Sequence, residues 1–249
     1  MKKTFYLALM PLIFSGITLQ SQTSGTVVYE QSIKIEINLE GQYAQFADMI
    51  PRERKSKKEL IFNEKASLYQ NLPEVSNSDV INESGARGNF MMRMPTMNDI
   101  MYIDLENNKR VEQKEFFDRN FLIEYDDDDT KWKITGNRKE ILGYECMEAE
   151  SVKNDEKITV WFTPLIPISA GPSNFAGLPG LVLAVETNSG KNVITAISVD
   201  LKPIPEKDIK KPNKGRKVTS EEYKKIVEEK MEEMGVQPGG GATRMIIRH

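Results

Sequence analysis

Cysteine and histidine are nearly absent from this chain of 249 residues, which holds one of each. The single cysteine, Cys146, excludes an intrachain disulfide and any zinc or iron–sulfur site built on cysteines. The single histidine, His249, is the last residue, so a Ser–His–Asp or Cys–His arrangement within the body of the chain is improbable. We therefore predict no catalytic residues, no metal site and no cofactor.

An excess of basic residues is also lacking. The chain holds 34 Lys and Arg against 37 Asp and Glu, a formal net charge of −3. Residues 22–206 carry 21 basic and 30 acidic side chains, so the body of the chain is distinctly acidic. An acidic surface repels a phosphate backbone, and nucleic acid is therefore not expected as a partner.

Only the N-terminus carries a long apolar run. Lys2 and Lys3 precede an uncharged stretch from Phe5 to Leu19, the pattern of a secretory signal peptide over residues 1–21. We predict cleavage near Ser21–Gln22 and a periplasmic or secreted mature protein, with an uncleaved membrane anchor as the alternative. No later segment is apolar enough to span a bilayer, so no transmembrane span is expected in the mature chain.

Alternating apolar and polar residues dominate residues 22–205. The clearest example is residues 26–39, and further runs include 57–68, 109–116 and 120–125. Strands follow one another through short turns such as Asn107–Asn108, without intervening helices. The sequence therefore predicts a mainly β (α+β) fold, with one domain over 22–205 built on a single curved antiparallel sheet.

Residues 206–249 predict a basic linker, a helix and a flexible tail. Thr219 followed by Glu222 has the spacing of a capping box, which marks the start of a helix. The segment Pro238 to Gly241 has the composition of a flexible connection. The sequence thus places one C-terminal helix after the β domain.

The segment from Trp161 to Gly180 contains four prolines and cannot be helical, so it predicts an extended crossing of the sheet. The order Leu178-Pro179-Gly180-Leu181 suits a type II turn. In such a turn proline fixes φ at the second position, and glycine takes a positive φ at the third. We therefore expect a positive φ at Gly180.

This segment resembles the signature of the GLPGLI family, which occurs mostly in Bacteroidetes. The matching run is Gly177, Leu178, Pro179, Gly180, Leu181 and Val182, with valine in place of the last isoleucine. Gly143-Tyr144-Glu145-Cys146 also resembles a Gly-Tyr-x-Cys segment of that family. The resemblance implies an exported protein of unassigned activity. It also implies a LolA-like half-barrel, the curved sheet of periplasmic lipoprotein carriers.

Three functional hypotheses follow. The first is an exported, non-catalytic cell-envelope protein that binds an apolar ligand or peptide on the curved sheet. Its candidate lining is Ile33, Ile35, Ile37, Leu60 and Phe62. The alternative is an assembly partner of an outer-membrane complex, which would use the tail Thr243 to His249 as an added strand. The third is a hydrolase, which would require a cleft with close carboxylates of perturbed protonation.

Three smaller features have structural and functional interpretations. Five methionines lie between Met91 and Met101. They are expected either to fill a loop or an apolar surface, or to bind Cu(I). The run Asp126 to Asp129 is a solvated turn rather than a Ca²⁺ loop, because it lacks the alternating spacing of such a loop. Cys146, within a predicted strand, is expected to be a buried and unreactive thiol.

Overall fold

A computed structural model describes residues 22–35, 52–72, 99–125, 130–153, 155–233, 236–237 and 244–245. These ranges contain fourteen strands and one α-helix, α1 (Ser220–Glu233). The strands are β1 (Gly25–Lys34), β2 (Glu53–Phe62), β3 (Ala66–Asn71), β4 (Ile100–Asp104), β5 (Lys109–Phe116), β6 (Arg119–Tyr125), β7 (Lys133–Ile141), β8 (Tyr144–Lys153), β9 (Glu156–Thr163), β10 (Leu181–Thr187), β11 (Asn192–Leu201), β12 (Arg216–Val218), β13 (Val236–Gln237) and β14 (Arg244–Met245).

Twelve of the described strands form one sheet that is not closed, in the order β12-β6-β5-β4-β3-β2-β1-β11-β10-β9-β8-β7. β13 and β14 pair separately. The prediction of a mainly β fold with a C-terminal helix is confirmed. The prediction of a purely antiparallel sheet is wrong at one edge, where β12 runs parallel to β6 with Val218 beside Ile123. A long connection after β11 makes this parallel pairing feasible.

Residues 57–68, predicted as one strand, form parts of two. The chain turns at Asn63, whose Oδ1 accepts hydrogen bonds from the backbone N–H of Lys65 (3.0 Å) and Ala66 (2.9 Å). An asparagine side chain that imitates a backbone turn in this way is a common basis for tight reversals. β2 and β3 are therefore a hairpin, with Leu60 directly opposite Tyr69.

The main core lies on one face of the sheet. Its members on β8–β11 include Ala149, Val160, Val185 and Ile194, all nearly inaccessible to solvent. Residues 164–180, called the strap below, run across this face as the extended crossing that the prolines predicted. The strap contributes buried apolar side chains of its own: Ile166, Ile168, Ala170, Ala176 and Leu178.

The sheet must bend so that its two ends face each other. Arg110 on β5 donates a hydrogen bond from Nη1 to the backbone oxygen of Asn174 in the strap, at 3.2 Å. Asn174 also lines a pocket with Ile158 on β9. β5 and β9 are seven strand-to-strand steps apart, which would separate them by about 34 Å in a flat sheet. Only a strongly curved sheet brings both within reach of one strap residue.

The turn around Pro179 differs from the predicted type II turn. The N–H of Gly180 donates to the oxygen of Leu178 at 2.8 Å, a three-residue turn centred on Pro179. Gly180 does not have a positive φ, so that prediction is wrong; the positive φ of +89° belongs to Gly177. Instead, glycine is required at position 180 because a side chain would not fit there. A Cβ atom at Gly180 would lie 2.2 Å from the backbone oxygen of Thr163.

Helix α1 begins at the predicted capping box. Thr219 Oγ1 accepts a hydrogen bond from the N–H of Glu222 (3.1 Å), and a Glu222 carboxylate oxygen accepts one from the N–H of Thr219 (3.0 Å). Tyr223 and Ile226 of α1 pack against the β6 residues Phe121 and Ile123. Within the described residues, no helix has both the length and the apolar character needed to cross a bilayer.

Candidate functional site

The register of the sheet brings polar side chains together on the face that also carries the core. Directly opposite residues share a face, as do residues two apart on one strand. One such row runs from Leu60 through Tyr69 and Met101 to Glu112 and Ile123. Lys58 and Lys114 lie on the same face, two residues from Leu60 and Glu112. Charged groups from β2 and β5 therefore project into the concave side of the sheet.

Glu112 is the most buried carboxylate of this group, with 8 % of its surface exposed. Its Oε1 forms an ion pair with Lys114 Nζ at 3.1 Å. Its Oε2 accepts a short hydrogen bond from the hydroxyl of Tyr125 on β6. Burial, followed by the charge of Glu112, raises the pKa of Tyr125, so the phenol keeps its proton and remains a donor. Glu112 is thus held in a fixed orientation by two neighbours.

Asp99 immediately precedes β4 and approaches the same group. Burial is the main cause that raises the pKa of Asp99 above its ordinary value of 3.8. The negative charge of Glu112 raises it further, while Lys114 and Lys58 act in the opposite direction. Two carboxylates therefore lie within electrostatic reach of each other, and burial favours the protonated form of Asp99.

Helix α1 covers this arrangement through Tyr223. Lys114 Nζ lies 5.7 Å from the centre of the Tyr223 ring, a cation–π contact. Burial raises the pKa of Tyr223 to about 12, with smaller contributions from Asp99 and Glu112. On the other side, burial lowers the pKa of Lys58, whose Nζ lies 5.5 Å from the centre of the Tyr69 ring. We call these six residues the carboxylate cluster: Lys58, Asp99, Glu112, Lys114, Tyr125 and Tyr223.

The carboxylate cluster has the parts that acid–base chemistry requires. A carboxyl group whose pKa is raised by burial keeps its proton to a higher pH than a free one and can donate it, and a carboxylate held in a fixed orientation can accept a proton. Asp99 fits the first role and Glu112 the second. The hydroxyl of Tyr69, a 4 % exposed residue of the same row, has no hydrogen-bond partner among the described residues. Of the predicted hypotheses, the hydrolase is the one that required such a cluster.

The predicted apolar lining does not form one surface. Leu60 and Phe62 are completely buried within the core, whereas Ile33 is 38 % exposed near the end of β1. Ile35 follows β1 and is half-buried. Ile37 lies outside the described residues, as does the tail at residues 246–249. The core side chains and the strap fill the face on which an apolar ligand was expected.

The family motif serves the packing of the strap. Leu178, Leu181 and Val182 are buried, while Gly177 and Pro179 are exposed. The N–H of Leu181 donates to Ile166 (3.0 Å) and that of Val182 donates to Ala170 (2.9 Å). These bonds close the strap onto the start of β10.

The remaining candidates are buried or outside the described ranges. Met101 is 5 % exposed in β4, and the other methionines of the predicted copper cluster, like Asp126 to Asp129, fall outside the described residues. Cys146 is fully buried, and burial raises the pKa of its thiol to about 11. Within the described ranges, no group of three or more His, Cys, Asp or Glu side chains is arranged to hold a metal ion.

Comparison with known proteins identifies the family. Residues 55–225, more than half of the chain, match the model of the family described as "N-glycanase peptide, N-terminal domain". The chain belongs to this family. The matched range spans β2–β12 and the start of α1, and it includes all six residues of the carboxylate cluster. A search of curated proteins found no match.

Two solved structures of PNGF-II, in the P21 and C2 space groups, share the fold with a TM-score of 0.52. Both are 19 % identical to this chain and match 82 % of it. The matched part is 33 % of one PNGF-II chain and 32 % of the other, so this chain spans about a third of their length. At this identity the likeness concerns the fold.

These findings correct three predictions. The resemblance to the GLPGLI family was wrong, because the family that matches is the N-glycanase domain. The prediction of a non-catalytic binder of apolar ligands, or of an assembly partner, was also wrong, because the chain matches the N-terminal domain of an N-glycanase family. The expectation that the chain is not an enzyme fails for the same reason. In this chain the motif packs the strap against the start of β10.

Proposed function

We propose that this chain is a glycan-processing hydrolase of the N-glycanase type, with the carboxylate cluster as its acid–base group. The observation that carries the proposal is that Lys114 and Tyr125 hold the buried Glu112 within electrostatic reach of Asp99, inside the matched range of the family. A glycoprotein or glycopeptide is the proposed substrate. The cluster lies on the concave side of the sheet, where a glycopeptide would be held against fixed groups.

The proposed reaction is hydrolysis of the amide bond between an asparagine side chain and the first sugar. Glu112, oriented by Lys114 and Tyr125, would take a proton from water as the water oxygen attacks the amide carbon. Asp99 would give its proton to the departing nitrogen as the carbon–nitrogen bond breaks. The products are an aspartate on the peptide and a glycosylamine, so atoms and protons balance. Lys58 and Lys114 supply positive charge near the oxygen that becomes negative in the transition state.

The test is a glycan-release assay on a peptide that carries one N-linked glycan. Glu112→Gln removes the proton acceptor and is expected to lower kcat/KM by about 10²- to 10⁴-fold. The matched control is Glu124→Gln, an equal change on β6 at an exposed position that pairs only with Lys217 at 3.5 Å among the described contacts. The control is expected to stay within about twofold of the unmodified protein, because Glu124 points away from the cluster.

An unmodified protein that releases no glycan would contradict the proposal, and so would Glu112→Gln with unchanged kcat/KM. A melting curve recorded for each variant separates a loss of chemistry from a loss of folding. The pH profile adds a second readout. Release should fall as pH rises through the pKa of Asp99, and Asp99→Asn should remove that dependence along with most of the activity.

We also propose that the protein acts outside the cytoplasm, after cleavage near Ser21–Gln22. Membership in an N-glycanase family is consistent with an extracellular site of action. The proposed organisation is a leader over 1–21, a β domain over 22–205 and a C-terminal segment over 206–249 that includes α1. The bend that joins Arg110 to the strap supports a half-barrel similar to LolA-type carriers. The mass of the mature protein from its host would test the cleavage position.

A further inference from the structure

A second concave site lies beside β8 and β9, and its strap residue Asn174 also accepts the hydrogen bond from Arg110 of β5. A pocket with a volume of about 220 Å³ opens between the strap, the β8–β9 hairpin and the residues that precede β7. We call it the rim pocket. Its lining is Thr130, Trp132, Lys153, Glu156, Ile158, Asn174, Phe175 and Thr187.

Two aromatic rings give the rim pocket its apolar surface. Trp132 donates a hydrogen bond from Nε1 to the backbone oxygen of Ala176 at 2.9 Å, which fixes the indole against the strap. Phe175 is half-buried and packs against the main core. Rigid, partly exposed aromatic rings provide flat surfaces on which the apolar face of a sugar ring can stack. Phe175 belongs to the strap, and Trp132 is held against the strap by its hydrogen bond to Ala176.

Polar groups of both charges surround these rings. Lys153 and Glu156 lie directly opposite each other at the end of the β8–β9 hairpin, so their charges offset at the mouth of the pocket. Thr130, Asn174 and Thr187 add neutral donors and acceptors. A site that combines aromatic faces with many hydrogen-bonding groups and little net charge suits a neutral, hydroxyl-rich ligand. An anion such as phosphate would gain little from it.

The size of the rim pocket limits the ligand to one ring. Drug-sized ligands occupy pockets of about 300–1,000 Å³, and this one is smaller. A single hexose fits such a volume, whereas a chain of sugars would have to extend into solvent. The open position at the rim leaves room for the rest of a glycan outside the pocket.

We propose that the rim pocket binds one neutral pyranose ring of a glycan. This inference deepens the proposed function and rests on it for its substrate class. The rim pocket would anchor an outer sugar of the glycan, while the carboxylate cluster acts on the bond to the peptide. It therefore adds a second point of attachment that would favour whole glycans over truncated ones.

The test measures binding without catalysis. Saturation-transfer NMR is recorded on the full chain with N-acetylglucosamine and, separately, with mannose. Inorganic phosphate is then added as a competitor, to test whether the pocket prefers an anion. Glu156→Gln is the main variant, because Glu156 is exposed and its replacement leaves the core intact. Asp155→Asn is the matched control, since it removes the same charge from the same hairpin outside the lining. Phe175→Ala tests the aromatic surface.

The inference predicts transfer from the protein to at least one sugar. It also predicts a Kd at least tenfold weaker in Glu156→Gln, an unchanged Kd in Asp155→Asn and no competition by phosphate. Absence of transfer to either sugar would overturn it, as would a Kd that neither Glu156→Gln nor Phe175→Ala changes from that of the unmodified protein, or displacement by phosphate. Glu112→Gln should bind sugar as the unmodified protein does. Sugar binding without glycan release would thus refute the proposed hydrolase while leaving the rim pocket in place.

Discussion

The two halves of the sheet bury their shared face in different ways. On β8–β11 the inward residues, such as Ala149, Val160 and Ile194, are apolar, and the strap completes their core. On β2–β6 the same face carries Lys58, Glu112 and other ionisable groups, with α1 as the cover. Burying charged groups costs free energy, whereas burying apolar groups stabilises the folded state. We infer that the apolar half stabilises the fold, and the charged half, at a cost in stability, carries the proposed acid–base group.

Gly180→Val should have the largest effect on stability, because it acts at the centre of the apolar half. The new side chain would clash with the backbone of Thr163 and Pro164, which cannot move without displacing β9. We expect a loss of about 4 kcal/mol or more in the free energy of unfolding, measured by urea denaturation. Gly143→Asn is the control, since Gly143 has a positive φ but no atom within 4 Å of an added Cβ. Gly143→Asn should lower the free energy of unfolding by less than about 1 kcal/mol. Equal losses in the two variants would contradict the close approach of Gly180 to Thr163.

Thr219→Ala should have a smaller effect, confined to the cover of the charged half. The change removes the hydroxyl that accepts from the N–H of Glu222, at a cost of about 1 kcal/mol to α1. Glycan release should also decrease, because α1 positions Tyr223 over Lys114. The comparison variant is Glu221→Ala, which lies in the same turn without a capping role. If Thr219→Ala and Glu221→Ala had the same Tm and the same rate of glycan release, the capping box would not be what stabilises α1.

Asp99→Asn should raise stability slightly at neutral pH. Folding raises the pKa of Asp99 above 3.8, so the folded chain holds this proton more tightly than the unfolded chain. Ionisation of Asp99 therefore opposes folding: the cost is absent below pH 3.8 and complete once pH exceeds the folded pKa. We expect a higher Tm for Asp99→Asn at pH 7 and no difference below pH 3.8, measured by calorimetry. Asp118→Asn, in the exposed β5–β6 turn, should show neither effect.

The thiol of Cys146 should react only slowly with labelling reagents in the folded chain, because the apolar half shields it. Burial raises the pKa of its thiol from 9.0 to about 11, which lowers the thiolate fraction about a hundredfold at neutral pH. Labelling by a thiol reagent should be slower than in the urea-unfolded chain by at least that factor. Labelling at similar rates in both states would show that β8 opens readily and that the apolar half is not the rigid one.

Features of the fold that depend on neighbouring residues were predictable from the sequence. Alternation identified most strands, the spacing of Thr219 and Glu222 identified the start of α1, and the prolines identified the extended strap. The hairpin at Asn63 was missed because its turn contains neither glycine nor proline. The turn at Pro179 was misassigned because local sequence does not reveal the approach of Thr163.

The carboxylate cluster could not be predicted because its members come from β2, β5, β6, α1 and the residue before β4. In the sequence Lys58, Glu112 and Lys114 look like the solvent-facing positions of alternating strands. One signal was available: Arg110, Glu112 and Lys114 occupy one face of β5 without interruption. A strand with three charges on one face and Val111 on the other predicts burial of the Val111 face, whereas the structure buries both Val111 and Glu112.

The most direct test of this account is glycopeptide cleavage in water enriched in ¹⁸O. The purified chain is incubated with a peptide that carries one N-linked glycan, and the peptide is then weighed by mass spectrometry. We predict that the asparagine becomes an aspartate with one ¹⁸O atom, and that Glu112→Gln abolishes this conversion while Glu124→Gln retains it. A peptide that keeps its glycan, or equal conversion by both variants, would contradict the assignment of chemistry to the charged half.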